Sequence, residues 1–155
     1  MIKYITVDCE TTGLDHQKHE LIAVSYLISI GQIEHLTKIL IKPENLHIAD
    51  PKALKVNGYT PSKWASAVSS DQAARQIASD ITPDMIWIGH YPPFDKRFIK
   101  KFLIDKGYDN FRLPMKTIDT RHVAASILYE YGLKSASLDD IRDLLGWSKE
   151  FAHTA

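Results

Sequence analysis

Asp8 and Glu10 stand one residue apart near the start of the chain, in the stretch Val7-Asp8-Cys9-Glu10-Thr11-Thr12-Gly13-Leu14. The apolar, β-branched run IKYITV leads into them and reads as a buried strand. Side chains alternate faces along a strand, so Asp8 and Glu10 share one face and Cys9 points to the other. Two carboxylates on one face repel each other unless a Lys or Arg, a shared proton or a divalent metal relieves them. Their oxygens suit hard ions such as Mg²⁺ or Mn²⁺. A third acid, Asp95, follows in GHYPPFDKRFI at the start of a helix, where the helix dipole favours negative charge. Lys96, Arg97, Lys100 and Lys101 beside it form a basic face, which is either solvated or available to a phosphate backbone. His153 lies near the chain end and takes its meaning from these other groups.

The elements that must position these residues come in a telling order. MIKYITVD reads as a first strand over 1–8, and the acids sit at its exit. LIAVSYLISI and IEHLTKILIKP, joined at Gly31-Gln32, form a hairpin, and Pro43 ends its second strand. Asp50-Pro51 starts a short helix that Gly58 stops, and Thr60-Pro61 repeats the start signal. Ser70 caps a helix over 71–81. MIWIGH is a short buried strand, and 92–108 is a helix with prolines at its entry and Gly107 at its stop. KTIDT is a further strand, and 121–132 is a helix. Ser137 caps the last complete helix with Asp140 in the capping-box position, and 148–155 opens another. Strands first, then alternating helix and strand, predict an α/β class: a mixed five-stranded sheet, a three-strand antiparallel meander plus two parallel strands, flanked by helices. With no repeat or linker, residues 1–155 form one domain.

Bulk properties narrow the class without choosing a substrate. Lys plus Arg number 19, as do Asp plus Glu, so the formal net charge is zero. A nonspecific duplex binder is more often basic, whereas an enzyme with metal ions at a phosphate can be neutral overall. The one cysteine, Cys9, allows no intrachain disulfide and fits a reducing compartment. The N-terminus lacks a long apolar leader, and no window approaches the ~20 apolar residues of a membrane span. The expectation is a soluble cytoplasmic protein.

Taken together, the motifs resemble the DEDDh family of 3′–5′ exonucleases, the DnaQ-like group that includes polymerase proofreading subunits. VDCETTGL is similar to the family's Asp-x-Glu motif followed by Thr-Gly-Leu. Val56, Asn57, Gly58 and Thr60 resemble its Val-His-Gly-Ile-Thr stretch, and His90, Phe94 and Asp95 its His-Asn-x-x-Phe-Asp motif. Asp119-Thr120 matches a recurrent Asp-Thr pair, SLDDIRDLLGW the helix before the third motif, and AHTA its His-x-Ala opening. The resemblance implies an RNase H-like fold and two Mg²⁺ or Mn²⁺ ions. Asp8 would bridge both ions, Glu10 would ligate one, Asp95 would hold the second site directly or through water, and His153 would be the general base. It further implies release of 5′-mononucleotides from a 3′ end. Thr11 and Thr12 would offer N–H and hydroxyl groups to the terminal nucleotide, with Asn57 beside them, and Leu14 and Val56 would wedge against the last bases or simply pack. Single-stranded DNA or another nucleic-acid 3′ end is the expected partner, together with a DNA polymerase or another replication or repair protein, and no membrane. An exoribonuclease is an alternative reading.

Two features depart from the family pattern. Tyr91 stands where the family has Asn, and Pro92-Pro93 should stiffen the loop. A polar contact near the metal site is therefore either lost or made by the Tyr hydroxyl. The fourth acid is expected five residues after His153, at position 158, and the sequence ends at Ala155. This chain would then be a piece of a longer enzyme and impaired by itself, or a catalytically inactive module that binds a 3′ end or a polymerase. In a third reading another acid, Asp119, Asp139 or one from a partner chain, fills the place.

Overall fold

The computed structural model describes residues 1–148. Alternation of apolar and polar residues builds the first strand, β1 (Lys3–Thr11), with Ile5, Val7 and Cys9 buried and Thr6 and Asp8 exposed between them. β2 (Leu21–Ile30) and β3 (Ile33–Leu40) complete an antiparallel meander, turned at Gly31 with its positive φ of 64°. β4 (Ile86–Gly89) and β5 (Thr117–Asp119) add to the other side of β1 in parallel. The sheet order β3-β2-β1-β4-β5 is the mixed five-stranded arrangement expected from the sequence. Five helices accompany it among the described residues: α1 (Pro51–Val56), α2 (Ser70–Asp80), α3 (Pro92–Asp105), α4 (Thr120–Leu128) and α5 (Leu138–Leu145). None is long and apolar enough to cross a membrane.

The core lies between one sheet face and α2 and α3. Ile5, Val7, Val24 and Tyr26 of the sheet join Ala74 and Ile77 of α2 and Phe98, Ile99 and Leu103 of α3 in one buried cluster. Each fully buried aliphatic side chain contributes about 1.5–3 kcal/mol relative to exposure. The Tyr26 hydroxyl donates to Asp80 at 2.6 Å, tying β2 to the end of α2. A smaller cluster joins Ile22 and Ala23 to Trp64, whose indole N–H donates to the Ile22 carbonyl at 2.9 Å.

Several boundaries differ from expectation for identifiable reasons. β1 continues through both acids to Thr11, because β2 pairs with it that far. β3 stops at Leu40, and Ile41 bridges Val68 instead of extending the ladder. Residues 61–66 form turns, not a second helix at Thr60-Pro61. Ser69, rather than Ser70, caps α2 by accepting from the Gln72 N–H. α4 ends at Leu128, and a 3₁₀ turn covers 129–131. Ser137 caps α5 as expected, but the Asp140 carboxylate accepts from Ser135 instead of closing a reciprocal box. The expected helix opening falls, from residue 149 on, outside the described residues.

Candidate active site

β4 pairs with β1 only through Tyr4, Ile5 and Thr6, so Asp8–Thr11 run on beyond the end of their parallel neighbour. Asp8 is exposed and Glu10 half-buried on the shared face. Across the antiparallel ladder they face Ser25 and Ala23. A register shift at Glu10/Thr11 ends the regular alternation, as bulges do where a strand must re-aim a side chain. The first turn of α3 closes on this strand end and brings in Asp95, which is 5% exposed. Burial, followed by the nearby charge of Asp8, pushes the Asp95 carboxyl up to about 7, against hydrogen bonds from the Cys9 thiol and backbone. Burial, then Asp95 and Asp8, push the Cys9 thiol well above its ordinary range, so it sits behind the acids as a neutral donor.

Among the described residues no three His, Cys, Asp or Glu side chains gather tightly enough to cage one ion. The donors nonetheless fit divalent cations by their chemistry. All three are carboxylates, and a buried carboxyl raised by a neighbouring carboxylate is the situation a bound cation relieves.

The turn after the acids is held from inside. The Thr11 hydroxyl donates to the Gly13 carbonyl at 2.7 Å. The Thr12 N–H donates to the Glu20 carbonyl, while the Thr12 hydroxyl accepts from the Glu20 N–H. Asn57, 7% exposed, donates its amide to the Thr11 carbonyl at 2.9 Å, and the Asp50 N–H donates to the Thr12 carbonyl at 2.7 Å. A Cβ on Gly13 would lie 2.5 Å from the His19 ring, so a larger residue there would have to displace that imidazole. The hydroxyls expected to meet a terminal nucleotide are thus engaged within the protein, because this turn buries them. Leu14 and Val56 are different: they stand 80% and 65% exposed.

On the other side of the acids, the ends of β4 and β5 carry His90, Tyr91 and Asp119. Asp119 caps α4 and makes a bidentate pair with Arg121, whose Nη2 lies 2.7 Å away. These hydrogen bonds hold the Asp119 carboxyl at about 2. Asp119 is therefore committed to Arg121 and to the Tyr91 N–H at 3.3 Å, not free to stand in for a fourth acid. Asp139, on α5, pairs with Arg142 at 2.8 Å. The Tyr91 N–H donates to Asp119, and the Arg121 guanidinium lies 4.1 Å from the centre of the Tyr91 ring. The basic face of α3 divides. Lys96 donates to the Pro114 carbonyl and Lys101 pairs with Asp105, while Arg97 and Lys100 remain exposed.

The structure thus sets Asp8 and Glu10 on one face of the β1 end and buries Asp95, within the influence of the Asp8 charge, in the first turn of α3, while Leu14 and Val56 stand exposed. His153 lies outside the described residues. Arg121 and His19 went unnoticed in the sequence. The Asp119-Thr120 pair, being a strand end and a helix cap, was the one signal that pointed toward Arg121.

Residues 5–155 match the model of the RNase T family of exonucleases. A PolC-type DNA polymerase III of Thermotoga maritima is 30% identical over 144 residues, covering 92% of this chain and 10% of the polymerase. The DNA polymerase III epsilon subunit of Aquifex aeolicus is 24% identical over 153 residues, covering 98% of this chain and 72% of the subunit. Exonuclease I of E. coli, solved with a dT13 oligonucleotide, superposes with a TM-score of 0.83 at 18% identity, over all of this chain and 38% of that one. At that identity the likeness is one of fold: the mixed sheet is the RNase H-like fold of Exonuclease I. The chain spans about a tenth of the PolC-type polymerase.

Proposed function

The chain belongs to the RNase T family of exonucleases, and on that premise we propose that it is a 3′–5′ exonuclease domain acting on single-stranded DNA. Its product is a 5′-mononucleotide. The observation that carries this reading is the acidic row: Asp8 and Glu10 on one strand face past the end of β4, and Asp95 buried at the start of α3, its carboxyl pushed up to about 7 by burial first and by the charge of Asp8 second. The family depends on divalent metal. Asp8, Glu10 and Asp95 would hold two ions, Mg²⁺ or Mn²⁺. Such ions, when bound, supply positive charge at the phosphodiester and make water a nucleophile near neutral pH.

The chain's own residues do the remaining work. Leu14 and Val56, both exposed, take the last bases by apolar contact, which tolerates any base. Thr11, Thr12 and Asn57 hold the turn that carries Leu14, acting through its shape. His153 takes the proton from the attacking water. A DNA polymerase is a proposed partner, supported by the PolC-type and epsilon relatives.

The test is a gel of 5′-labelled single-stranded DNA with Mn²⁺, run beside an EDTA control and Asp8→Ala. A ladder of shortening products is expected, abolished by EDTA and reduced at least a hundredfold, on the order of 3 kcal/mol of barrier, by the substitution. A ladder that survives Asp8→Ala would sink the proposal. A parallel RNA oligonucleotide reads the sugar preference.

A further inference from the structure

Tyr91 is the only non-glycine residue with positive φ among the described residues, at φ 67° and ψ 58°. A bulky residue rarely adopts that left-handed conformation. Strain of this kind persists where surroundings over-determine it, and it gathers at functional sites. The surroundings here are specific. The Tyr91 N–H donates to Asp119, and the Arg121 guanidinium, gripped by the same carboxylate, stacks on the ring at 4.1 Å. Arg97, six residues further on in α3, comes within 5.9 Å of the ring. It is exposed and has no acidic partner among the described residues. The ring is not stowed in the core: Tyr91 is 40% exposed.

Position gives this cluster its meaning. β1, which carries Asp8 and Glu10 and leads into the turn bearing Leu14, lies next to β4 in the sheet; Tyr91 stands two residues past the end of β4, and Asp119 ends β5 beyond it. Tyr91 is also the N-cap residue of α3, whose first turn carries Asp95. A strand whose 3′ end is held by Leu14 and Val56 has the Tyr91 side of the acids available for the nucleotides that follow.

We propose that Tyr91, backed by Arg121 and flanked by Arg97, is a landing platform for the single strand upstream of its terminal nucleotide, the ring stacking on a base and Arg97 meeting a phosphate. The inference rests on the strand path of the proposed function, but not on turnover. Aromatic stacking is sequence-tolerant and Arg adds cation–π attraction, so the platform raises affinity without selecting a base. Asp119 braces Arg121 against the ring and acts only through it.

The experiment measures affinity for 5′-fluorescein dT10 and rU10 by anisotropy in EDTA, where no digestion occurs, for the wild type, Tyr91→Phe, Tyr91→Asn and Arg97→Ala. Asn tolerates the left-handed conformation, so Tyr91→Asn removes the ring without straining the fold, and its thermal midpoint should equal or exceed that of the wild type. The expected result is about tenfold weaker binding of both oligonucleotides by Tyr91→Asn, with Tyr91→Phe unchanged. Arg97→Ala should shallow the slope of log affinity against log salt by about 0.7, the value for one phosphate on a single strand. Loss confined to rU10 would assign the platform to RNA. Equal affinity of Tyr91→Asn and wild type overturns the inference and leaves the exonuclease reading standing if the digestion ladder forms. No binding by the wild type overturns it as well. Weakened binding by Tyr91→Asn without any ladder keeps the platform and removes the catalysis.

Discussion

Asp119 shows how one carboxylate can be removed from chemistry by its neighbours. It could have been a spare metal ligand; instead it caps α4 through the Arg121 N–H and clamps the Arg121 guanidinium. Its depressed carboxyl, at about 2, sets the sign of a pH effect. A group whose pKa falls on folding stabilises the native state above its unfolded value, ~3.9, and loses that contribution as pH drops through its folded value. Asp119→Asn keeps a capping side chain but removes the charge. At pH 7 it should cost about 1 kcal/mol, since the pair is partly exposed. The gap from wild type should close as pH falls from about 4 toward 2. Urea unfolding midpoints across that range check it, and a gap that widens in acid would contradict the assignment.

At the scale of elements, the turn from Thr11 to Leu14 is short and crowded, and α1 secures it. Asp50 caps α1 through the Lys52 N–H at 2.8 Å, and Asn57 at its other end reaches the Thr11 carbonyl. Asn57→Ala leaves that buried carbonyl without its side-chain donor, which costs about 1–3 kcal/mol. The expected outcome is a lowered thermal midpoint together with a raised KM for single-stranded DNA, because Leu14 loses its mounting. A raised KM with unchanged stability would instead place Asn57 on the nucleotide itself. Tyr91 and Pro92 make the corresponding junction on the other side. Pro92 sits at the first helical position, where its missing N–H costs nothing and its fixed φ suits the start of α3. A Cβ on Gly89 would lie 3.3 Å from the Pro92 ring, so β4 and α3 meet closely there.

The whole molecule supplies what neither junction holds alone: a sheet whose central strand carries two acids and a helix that delivers the third. α3 enters the core through Phe98, Ile99 and Leu103. Ile99 is fully buried, and Ile99→Ala should cost roughly 2–5 kcal/mol in a denaturant titration. Ile104, on the same helix and 39% exposed, serves as the comparison. Ile104→Ala should stay within about 0.5 kcal/mol of wild type, as surface substitutions usually do. Equal losses at both sites would mean that α3 is not docked by the face described.

Much of this was legible in the residues alone. Period-two alternation put Asp8 and Glu10 on one face, β-branched runs and a Gly-containing turn marked the meander, and Asp50, Ser137 and Pro92 marked helix starts, because each of these is a local property of the chain. Tertiary structure decided the rest, because it depends on residues distant in sequence. Pairing with β2 carried β1 through both acids. Burial under α3 set Asp95 against Cys9 and raised its carboxyl. The turn's own hydrogen bonds engaged Thr11, Thr12 and Asn57, leaving Leu14 and Val56 outside. Arg121 took Asp119 out of contention, and with Asp119 it holds Tyr91 in a backbone conformation that no local preference would choose. The sequence by itself determined which side chains could do chemistry. Packing between strand ends and helix starts decided which of them face the same space.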